Sequence, residues 1–503
     1  MDELKPFLDI YWGRLFSYNQ TLRKRSDDEK TFGSESLCEV IDFYLTTQAM
    51  EYIKGFLMSQ IGSPGMLLAA RCFLEGLAIK RMYEQKQITD LQIDLLRHQV
   101  NLIEYRYYSK FDDIASEILI PEKLEEDYKQ TVEFFRSKLS EKFSEKQIHA
   151  IVKSDVPFLC NPNTLFRDLV ERFLGEHAVK MYGLFSQAIH PSVNDFYSTE
   201  GIWVTIPDLL SLIVEEFKNI PASKTTFQNY CSLTTTSPMS RQYHDLVNQE
   251  CTALKSICNV FDSFFENNYT SNTLTTIILL LQDACSDKLL GLCEHVKSKW
   301  KIILEICASF FACYTTCPDE RHFKLIEEHE RMQIKRNLKE EYSSEKAYEI
   351  YKSLYPNGVD YKSFEKGFQT TCGYTIDEMG RAKSLSQIVR EYIGHFASIS
   401  SNVSWDRVML LDYVESQMIS HANGYMWYAN SGSWGDITNT IIGSDLCIRY
   451  TLQAISAVFS IHKTVEGNNK YKPIRNVLRN GIKKLDAICQ AKASLLLVPG
   501  ISI

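Results

Sequence analysis

Met66 to Ile79, MLLAARCFLEGLAI, decides the fold class. The stretch is apolar on nearly every side and is interrupted by Arg71 and Glu75, one helical turn apart. A helix that is hydrophobic all round is normally buried. Buried Arg and Glu need partners, because desolvating either charge costs several kcal/mol. Their i,i+4 spacing lets them pair on one face. Just upstream, Ser63-Pro64 is a start signal, with Ser as N-cap and Pro at the first helical position. The stretch therefore predicts an enclosed central helix with an internal ion pair. Lys301 to Cys313, KIILEICASFFAC, repeats the arrangement with Lys301 and Glu305.

Around these two stretches, apolar spacings of three and four recur and period-2 alternation is hard to find. Proline is absent between Pro238 and Pro318 and between Pro356 and Pro473. The chain is expected to be all-α. Helices are predicted over 37–60, 90–110, 122–140, 145–154, a long one over 164–189, one near 208–217, one over 241–266 and one over 470–493.

The pattern restarts halfway. Setting Arg71 against Lys301 without a gap aligns Glu75 with Glu305 and Arg106 with Arg336. Tyr182 precedes His190 by the same interval that separates Tyr413 from His421. These echoes predict two tandem, diverged helical-bundle repeats forming a pseudo-dimer. Residues 1–35 form an N-terminal helix and linker, 36–266 repeat A, 270–466 a degenerate repeat B, and 470–503 a C-terminal helix with an apolar tail. On the C-terminal helix, Arg475, Arg479 and Lys483 line a basic face opposite an apolar stripe of Ile474, Val477, Leu478, Leu485 and Ile488.

Composition bounds the function class. With 503 residues, 45% hydrophobic and 23% charged, the chain has enough apolar residues for a large core. A net charge of −8 gives no global attraction to nucleic acid or anionic membrane. The 14 cysteines are scattered singly, without a CxxC pair or a completing His cluster, which suits a reducing compartment and argues against structural zinc. The acidic, aromatic N-terminus is unlike a signal peptide, and the apolar runs are far shorter than a membrane span. The expectation is a cytoplasmic protein with no membrane partner, no metal and no nucleotide cofactor; homo-oligomerisation stays open.

Candidate site residues follow from the charged pair. If Arg106 and the Tyr182, Ser186, His190 series meet Arg71 and Glu75, the bundle interior holds a set able to bind an anion or do acid–base work. His190, Arg71 and Glu75 are then the catalytic candidates, and Arg106, Tyr182 and Ser186 the ligand-binding ones. Lys301, Glu305, Arg336, Tyr413 and His421 are their repeat B equivalents. The absence of a GxSxG elbow disfavours a Ser–His hydrolase.

The order RCFLE, then a charged helix reaching Arg106, then YGLFSQAIH resembles an uncharacterised, mainly bacterial family of helical proteins marked by Arg-x-x-x-Glu and Tyr-x-x-x-Ser-x-x-x-His. The resemblance covers most of repeat A and, more loosely, repeat B, where Lys301 replaces Arg and the Ser position holds Gln417. It implies an all-helical fold and a shared polar site, with no established activity. Arg172 with His177, and Arg390 with His395, have the Arg-x4-His spacing that resembles HEPN-type ribonucleases. The leading expectation is a cytoplasmic sensor or interaction protein in bacterial stress or phage defence, binding a small anion or a protein partner in repeat A. The alternative is a metal-independent, HEPN-like ribonuclease acting on RNA in a cleft between the repeats. A structural scaffold is the third reading.

Overall fold

The computed structural model describes residues 63–109, 121–186 (except 155, 162 and 163), 200–217, 293–316, 320–370 (except 338 and 339), 383–399 and 472–496, with isolated helical positions at 41–55, 242–256, 276–284 and 413–417. Every regular element among these residues is a helix, and the fold is all-α. Backbone contacts divide the chain into two units. One comprises Met1–Phe185, Trp203–Arg241 and Leu411–Ile441; the other comprises Ser186–Ile202, Gln242–Leu410 and Ile442–Ile503.

In the first unit, α1 is Pro64–Glu84. The Ser63 hydroxyl accepts from the Met66 amide at 3.2 Å, so the start signal acts as its sequence predicts. Every residue from Met66 to Ile79 is buried, which makes α1 an enclosed helix. A Cβ on Gly76 would meet the Tyr44 ring at 3.0 Å and Leu45 at 3.1 Å. Gly55, in turn, lies against Met66. Tyr44 and Leu45 thus lie at the Gly76 level of α1 and Gly55 at the Met66 level, and the missing side chain at Gly76 makes room for the Tyr44 ring.

Helix α2, Asp90–Tyr108, opens on a reciprocal Thr89–Gln92 capping box. It packs on α3, Pro121–Leu139, through a Tyr105–Tyr128 stack at 4.0 Å and an Asn101 to Thr131 hydrogen bond of 3.0 Å. The short α4, Glu145–Val152, buries Ile148, Ile151 and Val152.

Two helices then stand where one was expected over 164–189. They are α5, Phe166–Leu174, and α6, Glu176–Phe185, and both pack on α1. Gly175 at φ +90 makes the break; its amide still closes onto the Glu171 carbonyl at 3.1 Å, after which the chain turns as only glycine does readily. Helix α7, Glu200–Phe217, starts earlier than the expected 208 because it runs straight through Pro207. Its buried stripe is Ile206, Leu209 and Ile213.

The second unit is built on α8, Cys293–Thr316, which packs on α12, Leu385–Ile399, through buried Ile388, Val389, Tyr392 and Ile393. Between them come α9 (Glu320–Asn337), α10 (Glu345–Leu354) and α11 (Tyr361–Thr370). These three close over an aromatic core of Tyr351, Phe364 and Phe368. At the α10–α11 turn a Cβ on Gly358 would collide with the Tyr351 hydroxyl, which accepts from the Val359 amide at 3.1 Å. Helix α13, Lys472–Leu496, buries Leu485 and Ile488 and exposes Arg479 and Lys483.

Candidate functional site

Three of the predicted residues meet inside the first unit. Arg71 and Glu75 lie one turn apart on α1, and Tyr182 reaches them from α6. Arg71 Nε pairs with Glu75 Oε1 at 3.1 Å. Arg71 Nη2 donates to the Tyr182 hydroxyl at 3.3 Å, and that hydroxyl donates to Glu75 Oε1 at 2.9 Å. The guanidinium also sits 5.3 Å from the centre of the Tyr182 ring. Relative exposures of 7% for Arg71, 0% for Glu75 and 8% for Tyr182 put the triad out of bulk water. Breaking any one link therefore leaves a polar group in an apolar surround.

The electrostatics of the triad oppose proton transfer. Burial, reinforced by Glu75, pushes the Tyr182 hydroxyl above its ordinary range even though Arg71 pulls it down. Burial also works against the Arg71 charge, but Tyr182 and Glu75 more than offset it, and the guanidinium is held more firmly protonated than usual. Tyr44 belongs to the same neighbourhood. Its hydroxyl is pushed well above its ordinary range by burial, with Cys72 and Glu75 adding to the shift. Sequence reasoning missed Tyr44. The available signal was Gly76 inside an otherwise bulky helix, which marks a close approach by another element.

A second charged cluster on α1 was also missed. The two Glu216 oxygens, on α7, are divided between Lys80 and Arg81, with 2.6 Å from Arg81 Nη2 to Oε2. Glu84 takes the other arm of Arg81 at 2.6 Å.

Other candidates lie elsewhere. Arg106 is at the surface and donates to the Ser154 carbonyl at 3.3 Å, so the second positive charge expected beside Arg71 is not placed there. Ser186 is half-buried just past the end of α6. Helix α6 runs Glu176–Phe185, so Tyr182 lies on it and Ser186 follows its last residue, and the rest of the Tyr182, Ser186, His190 series lies outside the described residues. His190 and His421 lie outside the described residues.

In the second unit Lys301 Nζ pairs with Glu305 Oε1 at 3.4 Å, both buried, as the spacing predicts. Arg336 is exposed. Tyr413 is buried at 1% exposure but groups with the first unit, whereas Lys301 and Glu305 group with the second. Lys299 and Asp283 form another ion pair at 2.8 Å, each side chain 1% exposed, which the sequence did not announce. On the same helix Cys307 is buried, and burial pushes its thiol up to about 12.

The Arg-x4-His elements separate. Arg172 donates to Gln87 at 2.8 Å, while His177 Nε2 contacts Asp208 at 2.7 Å on α7. Arg390 is exposed on α12, which also carries His395. Among the described residues no group of three or more His, Cys, Asp or Glu is placed to hold a metal ion. No described helix is long and apolar enough to cross a membrane. Comparison with protein-family profiles, with curated proteins and with solved structures returned no match.

Proposed function

We propose that this chain is a non-catalytic, cytoplasmic sensor or interaction protein of bacterial stress or phage defence, akin to the uncharacterised helical family its motifs resemble. It recognises a small anion or a protein partner at the polar site of the first unit. The observation that carries this reading is the closure of the triad: one hydroxyl accepts from Arg71 and donates to Glu75, inside an apolar helix pair. Such a set holds charge in a fixed place. It supplies no activated nucleophile, since burial keeps the Tyr182 hydroxyl protonated.

Internal duplication is part of the proposal. Among the described residues, an enclosed helix with an i,i+4 ion pair in each unit is followed by three α-helices, and a later α-helix packs back on it: α5 on α1, and α12 on α8. The second and third helices pack together in both, as do the third and fourth. With Lys301 in place of Arg, the second unit is read as the diverged copy. Cys72, Cys160 and Cys307 are thiols rather than disulfides, which accords with a reducing compartment.

The ribonuclease alternative draws less from the geometry, because Arg172 and His177 are engaged with Gln87 and Asp208 rather than with each other. Thermal unfolding of the full chain with phosphate, sulfate or nitrate at constant ionic strength tests the sensor reading. Saturable stabilisation by one anion, with no cleavage of single-stranded RNA, is the expected result. RNA cleavage abolished by His190→Ala or His177→Ala would establish the enzyme instead.

A further inference from the structure

The two cations that follow the triad on α1 carry an inference that deepens this reading and rests on it. Lys80 and Arg81 sit about 7.5 and about 9 Å along the helix axis from Glu75. Both donate to a single carboxylate, that of Glu216, one to each oxygen. The Glu216 side chain is 3% exposed, Lys80 is 13% and Arg81 is 30% exposed. A carboxylate held this way, with each oxygen on a different cation, has the geometry of a bound oxyanion. It is delivered by α7, which also links Asp208 to His177 on α6. Helix α7 thus ties together α1 and α6, the two helices that form the triad.

We propose that Lys80 and Arg81 are an oxyanion seat, and that Glu216 is its built-in occupant. A phosphate-class anion competes with the Glu216 carboxylate for the two cations. When it wins, the α7 end carrying Glu216 is released from α1, and this exchange is the means by which the anion is sensed. The seat is a clamp for an anion that can offer two oxygens to two donors. Arg81 keeps its second arm on Glu84 throughout, which fixes the guanidinium plane.

Glu216→Gln in the full chain tests the competition, with inorganic phosphate and adenosine monophosphate as the two probes in isothermal titration. The amide keeps the shape of the occupant and removes its charge, so the variant should bind at least one probe about 10-fold more tightly than the wild type. Tightening for phosphate identifies the free anion as the ligand, and tightening confined to the nucleotide identifies a phosphomonoester. Adding Lys80→Gln and Arg81→Gln should erase the gain. Should Glu216→Gln not fold, Glu216→Asp, one methylene too short to span both cations, should show a smaller gain in the same direction. In hydrogen exchange, α7 amides near residue 216 should lose protection on phosphate addition while those of α3 do not change. Unchanged affinity in the Glu216 variants, or a gain that survives loss of both cations, overturns the proposal. That outcome is separable from failure of the sensor reading, in which no anion stabilises the wild type and substitutions in the triad change no binding.

Discussion

Replacing Glu75 with Gln probes the triad at its most buried atom. The side chain is 0% exposed and its Oε1 receives both the Arg71 guanidinium and the Tyr182 hydroxyl. Gln keeps the volume and an oxygen that can still accept from Tyr182. It removes the charge facing Arg71 and leaves a guanidinium only 7% exposed without its counter-ion. Removing one partner of a buried pair costs about 3–5 kcal/mol, and the retained Tyr182 hydrogen bond returns about 1 kcal/mol of that. The expected loss is therefore about 2–4 kcal/mol. Arg71→Met should cost a similar amount, yet the double variant should cost far less than the sum, with a coupling of about 2 kcal/mol or more. Because a chain of two units need not unfold in one step, the assay is hydrogen exchange through a urea series, read on α1, α5 and α6 peptides. Single losses below about 1 kcal/mol, or losses that add within about 0.5 kcal/mol, would refute the reasoning.

Other perturbations follow from the same packing. Tyr182→Phe keeps the ring over Arg71 and deletes the bridging hydroxyl, for a loss of about 1–2 kcal/mol at neutral pH in a urea titration. Because folding raises the Tyr182 pKa, its contribution is intact below the unfolded tyrosine value of about 10 and is lost as pH climbs past it. The variant should accordingly show an alkaline stability slope shallower by about one proton, or about 1.4 kcal/mol per pH unit, and an unchanged slope argues against the burial. Gly76→Val puts a branched side chain into the Tyr44 and Leu45 contact and should cost about 1–3 kcal/mol by thermal melt, against well under that if the 41–55 segment sits elsewhere. Cys160, pushed up to about 11 by burial, should react with iodoacetamide at pH 8 roughly two orders of magnitude more slowly than a free thiol, and labelling at the free rate would contradict its burial.

The sequence carried the fold where one physical rule dominated. The all-round hydrophobicity of Met66–Ile79 marks an enclosed helix, the hydroxyl and proline at Ser63-Pro64 mark its start, and i,i+4 spacing marks both buried ion pairs. Tyr182 was named from a motif, and its arrival at Arg71 and Glu75 is a tertiary fact that no periodicity contains. The reading failed where backbone chemistry overrode pattern. Gly175 splits a stretch whose apolar spacing is continuous, because a single positive φ ends a helix regardless of its neighbours. Pro207 sits inside α7, where a break or a start is the usual expectation. Arg106 was assigned inward by its place in the motif order, but its side chain lies at the surface on the Ser154 carbonyl. Glu216 and Asp283 were illegible for another reason: they are buried carboxylates whose cation partners lie beyond i,i+4 reach, so no local spacing marks the pairs.

The central claim is that the triad in the first unit supports recognition rather than chemistry. Isothermal titration of phosphate into the wild type and into a folded Arg71→Met variant, which removes the cation of the triad, tests it most directly. The account predicts saturable binding to the wild type and a loss of about 10-fold or more in the variant, with helical content preserved by circular dichroism. Binding to neither protein, or equal binding to both, would contradict it.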